Sequence, residues 1–264
     1  MHPDWLIPDW PAPAGVRAVC TTRAGGVSAA PYASFNLGDH VGDKPAHVAA
    51  NRATLRSALG AHPVFLKQVH GTEVVQLDAR SVDGTVADAC FTPQPGVACM
   101  VMVADCLPVL FTTTQGHAVA AAHAGWRGLA GQSGLGVLEQ TFKNFSSVAL
   151  MDKAQAAIEI IAWLGPCIGP DAFEVGDEVR AAFVQDDAPD SAQAASCFKR
   201  LPAGKWLADL AGLARLRLRA MGITQIYGND SSAAWCTVAN ASKFFSHRRD
   251  QVSGRFCASI WRSV

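Results

Sequence analysis

The sequence predicts an α+β fold, one domain across residues 1–264, with buried mixed β-sheets covered by helices. Three observations carry this expectation. Apolar runs such as "VACMVMVAD", "LPVLFTT" and "HAVAAAH" lack clean alternation, as strands buried on both faces do. Helical runs open at proline and close at glycine, as in "KPAHVAANRATLRSALG". Strands and helices mix without a strict βαβ rhythm, and no glycine-rich dinucleotide or phosphate-loop motif occurs.

In chain order, "VRAVCTTR" reads as a strand ending in the turn "AGG". The next helix starts at Pro45, places Val48, Leu55 and Leu59 near one face, and caps at Gly60. "VFLKQVH" and "EVVQLD" read as short strands around His70 and Gly71, followed by the three apolar strands above. After "GWRG" one helix is expected through Leu135 and Leu138, then a buried strand in "AIEIIAWLG". "GDEVRAAFV" and "KWLADLAGLARLRLRAMG" read as helices, the latter closed by Gly222. "ITQIYG", "FFSHRRD" and "RFCASIW" close the chain with strand character.

Composition narrows the function classes. Half of the residues are hydrophobic and 17% are charged, the balance of a core-rich globular chain. The 22 basic and 22 acidic residues cancel, with no Lys/Arg block. That argues against nucleic acid and anionic membrane as partners and for a small-molecule substrate. "MHPDWLIPDWPAPAG" lacks the basic start of a secretory signal, and the longest apolar stretch is broken by Asp105 and Pro108. Eight irregularly spaced cysteines, without a Cys-x-x-Cys pair, then fit a reduced, cytoplasmic chain.

Three metal-competent side chains sit where apolar strands end: His70 in "KQVHG", Cys106 in "VADCLP" and His123 in "AAHAGW". They are far apart along the chain, but strand ends gather distant residues at one sheet edge. Two imidazoles and a thiolate suit zinc, and three protein ligands leave a fourth position at which the pKa of a water falls to about 7. Without metal, Cys106 serves instead as a nucleophile activated by a histidine. Each residue alone also has an ordinary reading: a buried thiol, a hydrogen-bonded core histidine. Asp105 either orients or exchanges protons at the site, or caps a turn. Arg127, in a glycine-bracketed loop after His123, suits phosphate or an ion pair, and Arg23 and the pair in "SHRRD" compete for the same task. His40, Cys99 and His247 are open as a fourth ligand, and Cys167 in "LGPCIGP" reads as structural.

"TTRAGGVSAAPYASFNLGDHVGD", "KQVHGTEVV", "ADCLPVLF", "AAHAGWRGLAG", "LGPCIGPDAFEVGDEV", "KWLADL", "FFSHRRD" and "GR" follow one another in this order. Together they resemble the YfiH-like family, from about Val16 to Trp261. That family has carried the labels multicopper polyphenol oxidase, purine nucleoside phosphorylase and peptidoglycan editing factor. The resemblance implies a four-layer α/β/β/α fold, shared in outline with the catalytic domain of cytotoxic necrotizing factor. It implies a zinc site at His70, Cys106 and His123. It also implies phosphorolysis of adenosine, inosine, guanosine and methylthioadenosine, and deamination of adenosine, with purine nucleoside and phosphate as partners. On that reading His70, Cys106, His123 and Asp105 are catalytic, and Arg127, Arg23 and Asn36 bind substrate. A copper oxidase fits less well: the chain has eight histidines and no His-x-His pair. The alternatives are a peptidoglycan-precursor editing hydrolase using Cys106 or activated water, and a zinc-stabilised binding protein. The chain departs from the family pattern at Asp171, Ala172 and Phe173, at Ala214 and at Gln132, positions that bear on substrate preference.

Overall fold

The computed structural model of the protein describes residues 1–149, 159–184 and 191–264. Two sheets lie face to face. The first has the order β1 (Val16–Cys20), β13 (Phe256–Arg262), β5 (Val97–Val103) and β2 (His62–Pro63). The second has the order β12 (Gln225–Gly228), β8 (Ile160–Leu164), β6 (Leu107–Thr113), β7 (Val119–Ala124), β4 (Ala89–Thr92) and β3 (Val74–Gln76). Val97, Cys99, Val101 and Val103 of β5 meet Leu110, Val119 and Ala121 of the second sheet between the layers. The alternate side chains of β5, Ala98, Met100 and Met102, face Leu55 and Leu59 of the outer helix α1 (Pro45–Leu59). On the far side of the second sheet, Ala120, Ala122 and Phe111 pack against α3 (Val137–Ala149) and α6 (Leu210–Ala220). This is an α/β/β/α sandwich, and it explains the unalternating strands: both faces of each central strand meet apolar neighbours. No helix among the described residues is long and apolar enough to cross a membrane.

Several local expectations change. "VFLKQVH" does not extend a sheet beyond β2. Gly84 donates to the Phe65 carbonyl and Lys67 to that of Thr85, so a loop takes the hydrogen bonds a strand would have made. The helix after "GWRG" is two, α2 (Trp126–Ala130) and α3. Gly131, at φ 64° and ψ −157°, breaks them in a conformation closed to other residues, and an added Cβ would fall 2.0 Å from the Leu135 carbonyl oxygen. "KWLADL" begins as a strand, β11 (Trp206–Ala208), in a small sheet between β10 (Phe198–Arg200) and β9 (Glu174–Val175). Helix α6 starts only after Asp209, whose carboxylate accepts the Gly212 N–H as an N-cap. "GDEVRAAFV" forms α4 (Asp177–Phe183), and α5 (Ser191–Ser196) follows. "FFSHRRD" is not a strand. Ser246 caps a short helix, α7 (His247–Asp250), by accepting from Arg249 N–H.

Candidate metal centre and active site

Strand register assembles the site. In the second sheet β6 and β7 run antiparallel, with Pro108 opposite His123 and Leu107 opposite Ala124. Cys106, one residue before β6, therefore falls beside Gly125, one residue after β7. On the other edge of β7, Ala122 faces Ala89 of β4, which brings Asp88 next to His123. The chain reaches Cys106 by crossing from one sheet to the other, and Asp105 makes that crossing at φ 91°. His70 arrives on the loop before β3, at φ 61°. Both are left-handed conformations that cost a non-glycine residue and gather at functional sites.

The ligand atoms of His70, Cys106 and His123 lie within 4.8 Å of one another, and among the described residues this is the one such group. Cys106 Sγ is 3.6 Å from His70 Nε2. Two ligands on one tetrahedral zinc are separated by about 3.5 Å, given bonds of about 2.0 and 2.3 Å, so this pair is spaced for a shared ion. The rings of His70 and His123 meet edge to face, their centroids 4.8 Å apart. His123 is buried, and its Nδ1 lies 2.8 Å from Asp88 Oδ1. A carboxylate only accepts, so Nδ1 carries the proton and Nε2 is left for the cluster. Gly125 makes the close packing feasible: a Cβ there would fall 2.9 Å from His70 Cδ2 and 3.0 Å from Cys106 Sγ.

Electrostatics favour an ionised pair. Burial pushes the Cys106 thiol up, but His123 and His70 outweigh it and bring it down to about 6. Burial pushes His123 down, but the Cys106 thiolate and Asp88 outweigh it and raise it to about 9. Four buried thiols go the other way: burial holds Cys20, Cys99 and Cys167 well above the usual range and pushes Cys257 up to about 12.

The three clustered side chains open into a cavity of about 440 Å³, a size that suits a small-molecule site. Met102, Trp126, Ile168, Phe173 and Leu210 supply its apolar lining, and Arg248 and Arg255 its positive charge. Neither arginine pairs with a carboxylate among the described residues. Arg248 braces itself on the Ala172 and Glu174 carbonyls, and Arg255 on those of Ser253 and Gly254. Asp105 lines the same cavity, with one carboxylate oxygen accepting from the Thr237 hydroxyl and the other from Arg248 N–H.

The substrate-binding expectations land elsewhere. Arg23 donates to the Ala33 and Ala241 carbonyls, lies over Phe245 and is not among the cavity-lining residues. Asn36 is fully buried, its amide spent on Gly38, Asp43 and Arg255 N–H. Arg127 stacks over Trp126 in a neighbouring groove that shares only His70 and Trp126 with the cavity. His40 and His247 line the cavity without joining the ligand cluster, and Cys99 lies between the sheets. Arg249, the other half of the "SHRRD" pair, braces carbonyls and pairs with Asp250. Sequence reasoning missed Asp88 altogether and missed Arg255 beyond its place in the "GR" match. No local pattern marks either one, because register and chain crossing place them.

Residues 17–263 match the family model described as multi-copper polyphenol oxidoreductase laccase. The chain is 48% identical over 260 residues to a Pseudomonas aeruginosa protein named purine nucleoside phosphorylase PA4543, covering 97% of this chain and 98% of the relative. It is also 48% identical to purine nucleoside phosphorylase YfiH of Escherichia coli, with 97% and 98% covered. Among solved structures, Neisseria meningitidis protein NMB0706 superposes with a TM-score of 0.87 at 44% identity, covering 99% of this chain and 100% of that one. A Bacillus licheniformis hypothetical protein YfiH gives 0.82 at 28% identity, with 94% and 93% covered. The chain therefore belongs to the YfiH family, the one described by the multi-copper polyphenol oxidoreductase laccase model.

Proposed function

We propose that the protein is a zinc-dependent purine nucleoside phosphorylase acting on adenosine, inosine, guanosine and methylthioadenosine, with adenosine deamination at the same site. One observation carries this reading: a His/Cys/His set opens into a cavity that also bears two arginines without carboxylate partners among the described residues. The names of the relatives at 48% identity support it. His70, Cys106 and His123 would hold the zinc, which would supply Lewis acidity when bound. Phosphate binds Arg248 and Arg255, whose charge draws it into a partly apolar cavity where the guanidinium interaction is strong. Trp126 and Phe173 pack against the purine, and Asp105, with the Thr237 hydroxyl on its carboxylate, moves protons. The phosphate-holding role moves from Arg127 and Arg23 to the arginines that face the cavity. The described residues provide one group of ligands, which does not fit the several coppers of a laccase.

Incubating the protein with adenosine, with and without phosphate, tests the reading. Free adenine and ribose-1-phosphate that appear only with phosphate support phosphorolysis, and inosine supports deamination. Neither product, from protein with full zinc content, overturns both.

A second reading has its own observation. Cys106, His123 and Asp88 stand in the order nucleophile, base and orienting carboxylate. Such a set would cleave an amide in a peptidoglycan precursor: Cys106 attacks the carbonyl carbon, the amine leaves protonated by His123, and water then hydrolyses the thioester to free the acid and Cys106. Loss of activity to a thiol alkylator but not to a chelator favours that reading.

A further inference from the structure

We infer that Asp88 is a positioning residue that sets two of the three site ligands, His70 and His123, through one buried carboxylate. This rests on the reading of His70, Cys106 and His123 as one ligand set. Asp88 is fully buried, immediately before β4. Its Oδ1 accepts from His70 N–H at 2.9 Å and from His123 Nδ1 at 2.8 Å. Its Oδ2 accepts from Gly71 N–H at 2.7 Å and from Val69 N–H at 3.1 Å. Four donors thus fill two oxygens, and three of them are consecutive backbone amides converging on one anion.

The two halves of this arrangement do different jobs. The amide half holds the loop so that His70 keeps φ 61°, a conformation it does not favour on its own. The imidazole half fixes the tautomer and ring direction of His123, so that Nε2 faces the cluster. A second contact, His123 N–H to the Asp88 carbonyl at 2.7 Å, ties the same two residues through the sheet. That backbone bond survives any side-chain change at position 88, so a variant isolates the carboxylate. An Asn at 88 accepts through one oxygen only and turns an NH₂ toward amide donors. At least two of the four donors then lose their partner.

The test is a cobalt(II) titration of wild type and Asp88→Asn, followed by the visible absorption of the thiolate-bound ion, alongside melting curves of both metal-free proteins. The expected result is a cooperative melt for Asp88→Asn with cobalt affinity reduced about 10–100-fold and an altered spectrum. Wild-type affinity and spectrum in the variant overturn the inference, since a carboxylate that only stabilised the fold would move the melt and not the ligand field. Where Asp88→Asn does not melt cooperatively, ¹⁵N-histidine NMR of the zinc-loaded wild type decides. Coordination of His123 through Nε2 with Nδ1 protonated supports the inference, and coordination through Nδ1 overturns it. Where wild type takes up neither cobalt nor zinc, the metal reading fails by itself. A crystal structure of Asp88→Asn then decides for Asp88: displaced His70 and His123 rings support it, and unmoved rings overturn it.

Discussion

Cys106 and its surroundings carry the sharpest predictions. In metal-free protein, burial acts against the Cys106 thiolate, yet His123 and His70 bring its pKa down to about 6. Iodoacetamide labelling of Cys106, read by mass spectrometry, should therefore rise with pH around a midpoint near 6. Cys197, pushed up to about 11 by burial and Asp209, should lag far behind. A midpoint near that of a free thiol would refute the ionised pair. The signs define its window. Cys106 is depressed, so its contribution to stability is lost as pH falls through about 6. His123 is raised, so its contribution is lost as pH rises through about 9. Gly125→Ala tests the packing. Its φ of −68° suits alanine, but the new Cβ would press on His70 and Cys106. Overpacking of about 1–3 kcal/mol reads as an about 5- to 150-fold loss of zinc affinity, with the metal-free fold intact by circular dichroism. Arg255→Ala should raise the KM for phosphate about tenfold or more and shift that for nucleoside less, in phosphorolysis assays varying each substrate separately. The three clustered side chains were legible because each interrupts an apolar run at a turn. Asp88 was not: in "VADAC" it looks like any turn carboxylate, and only the pairing of β4 with β7 sets it against His123.

Among the elements, β7 is the most constrained. Val119 and Ala121 face the other sheet, while Ala120, Ala122 and Ala124 face the helices. Small side chains let both layers close onto this strand. Ala121 is fully buried between the two sheets, so Ala121→Val adds volume there and should destabilise the protein by about 1–3 kcal/mol, seen as a lower denaturant midpoint at unchanged slope. The long central strands and α1 were readable from the sequence because their signals are local: apolar runs, a proline start, a glycine end. "FFSHRRD" misled because two buried phenylalanines, Phe244 and Phe245, resemble a strand start. The Ser246 cap then turns the next residues into α7 and brings Arg248 to the cavity. The small β10–β11–β9 sheet was hidden for a related reason. Its strands are two or three residues long, too short for periodicity to reveal them, and β9 joins β11 from well upstream.

For the molecule as a whole, acid sensitivity follows from buried carboxylates. Burial alone would raise Asp88, but the His123 bond and charge and the loop amides keep it below the usual range. Asp43 is likewise raised by burial but lowered further by bonds from Ser28, Asn36 and Lys44 N–H. Both are depressed, so their contribution is present above about pH 4 and lost as pH falls through their folded values. Melting temperatures should hold near neutral pH and drop below about pH 4; a flat profile down to pH 2.5 would contradict the assignment. Metal that binds only the folded state adds stability. Zinc-loaded protein should therefore melt higher than chelator-treated protein, and equal melts would argue against a resident ion.

The sequence by itself determined the layers and singled out the three side chains that cluster. Burial on both faces leaves its mark in unbroken apolar strands, and zinc-competent side chains stand out where those strands stop. Only the tertiary structure decided what surrounds the ligands. Register set Asp88 against His123 and Cys106 against Gly125, and the capped turn at α7 brought Arg248 to the cavity. The physical reason is range. Periodicity and capping act within a few residues, whereas a site closes through hydrogen bonds and packing between segments tens of residues apart, which no local pattern encodes.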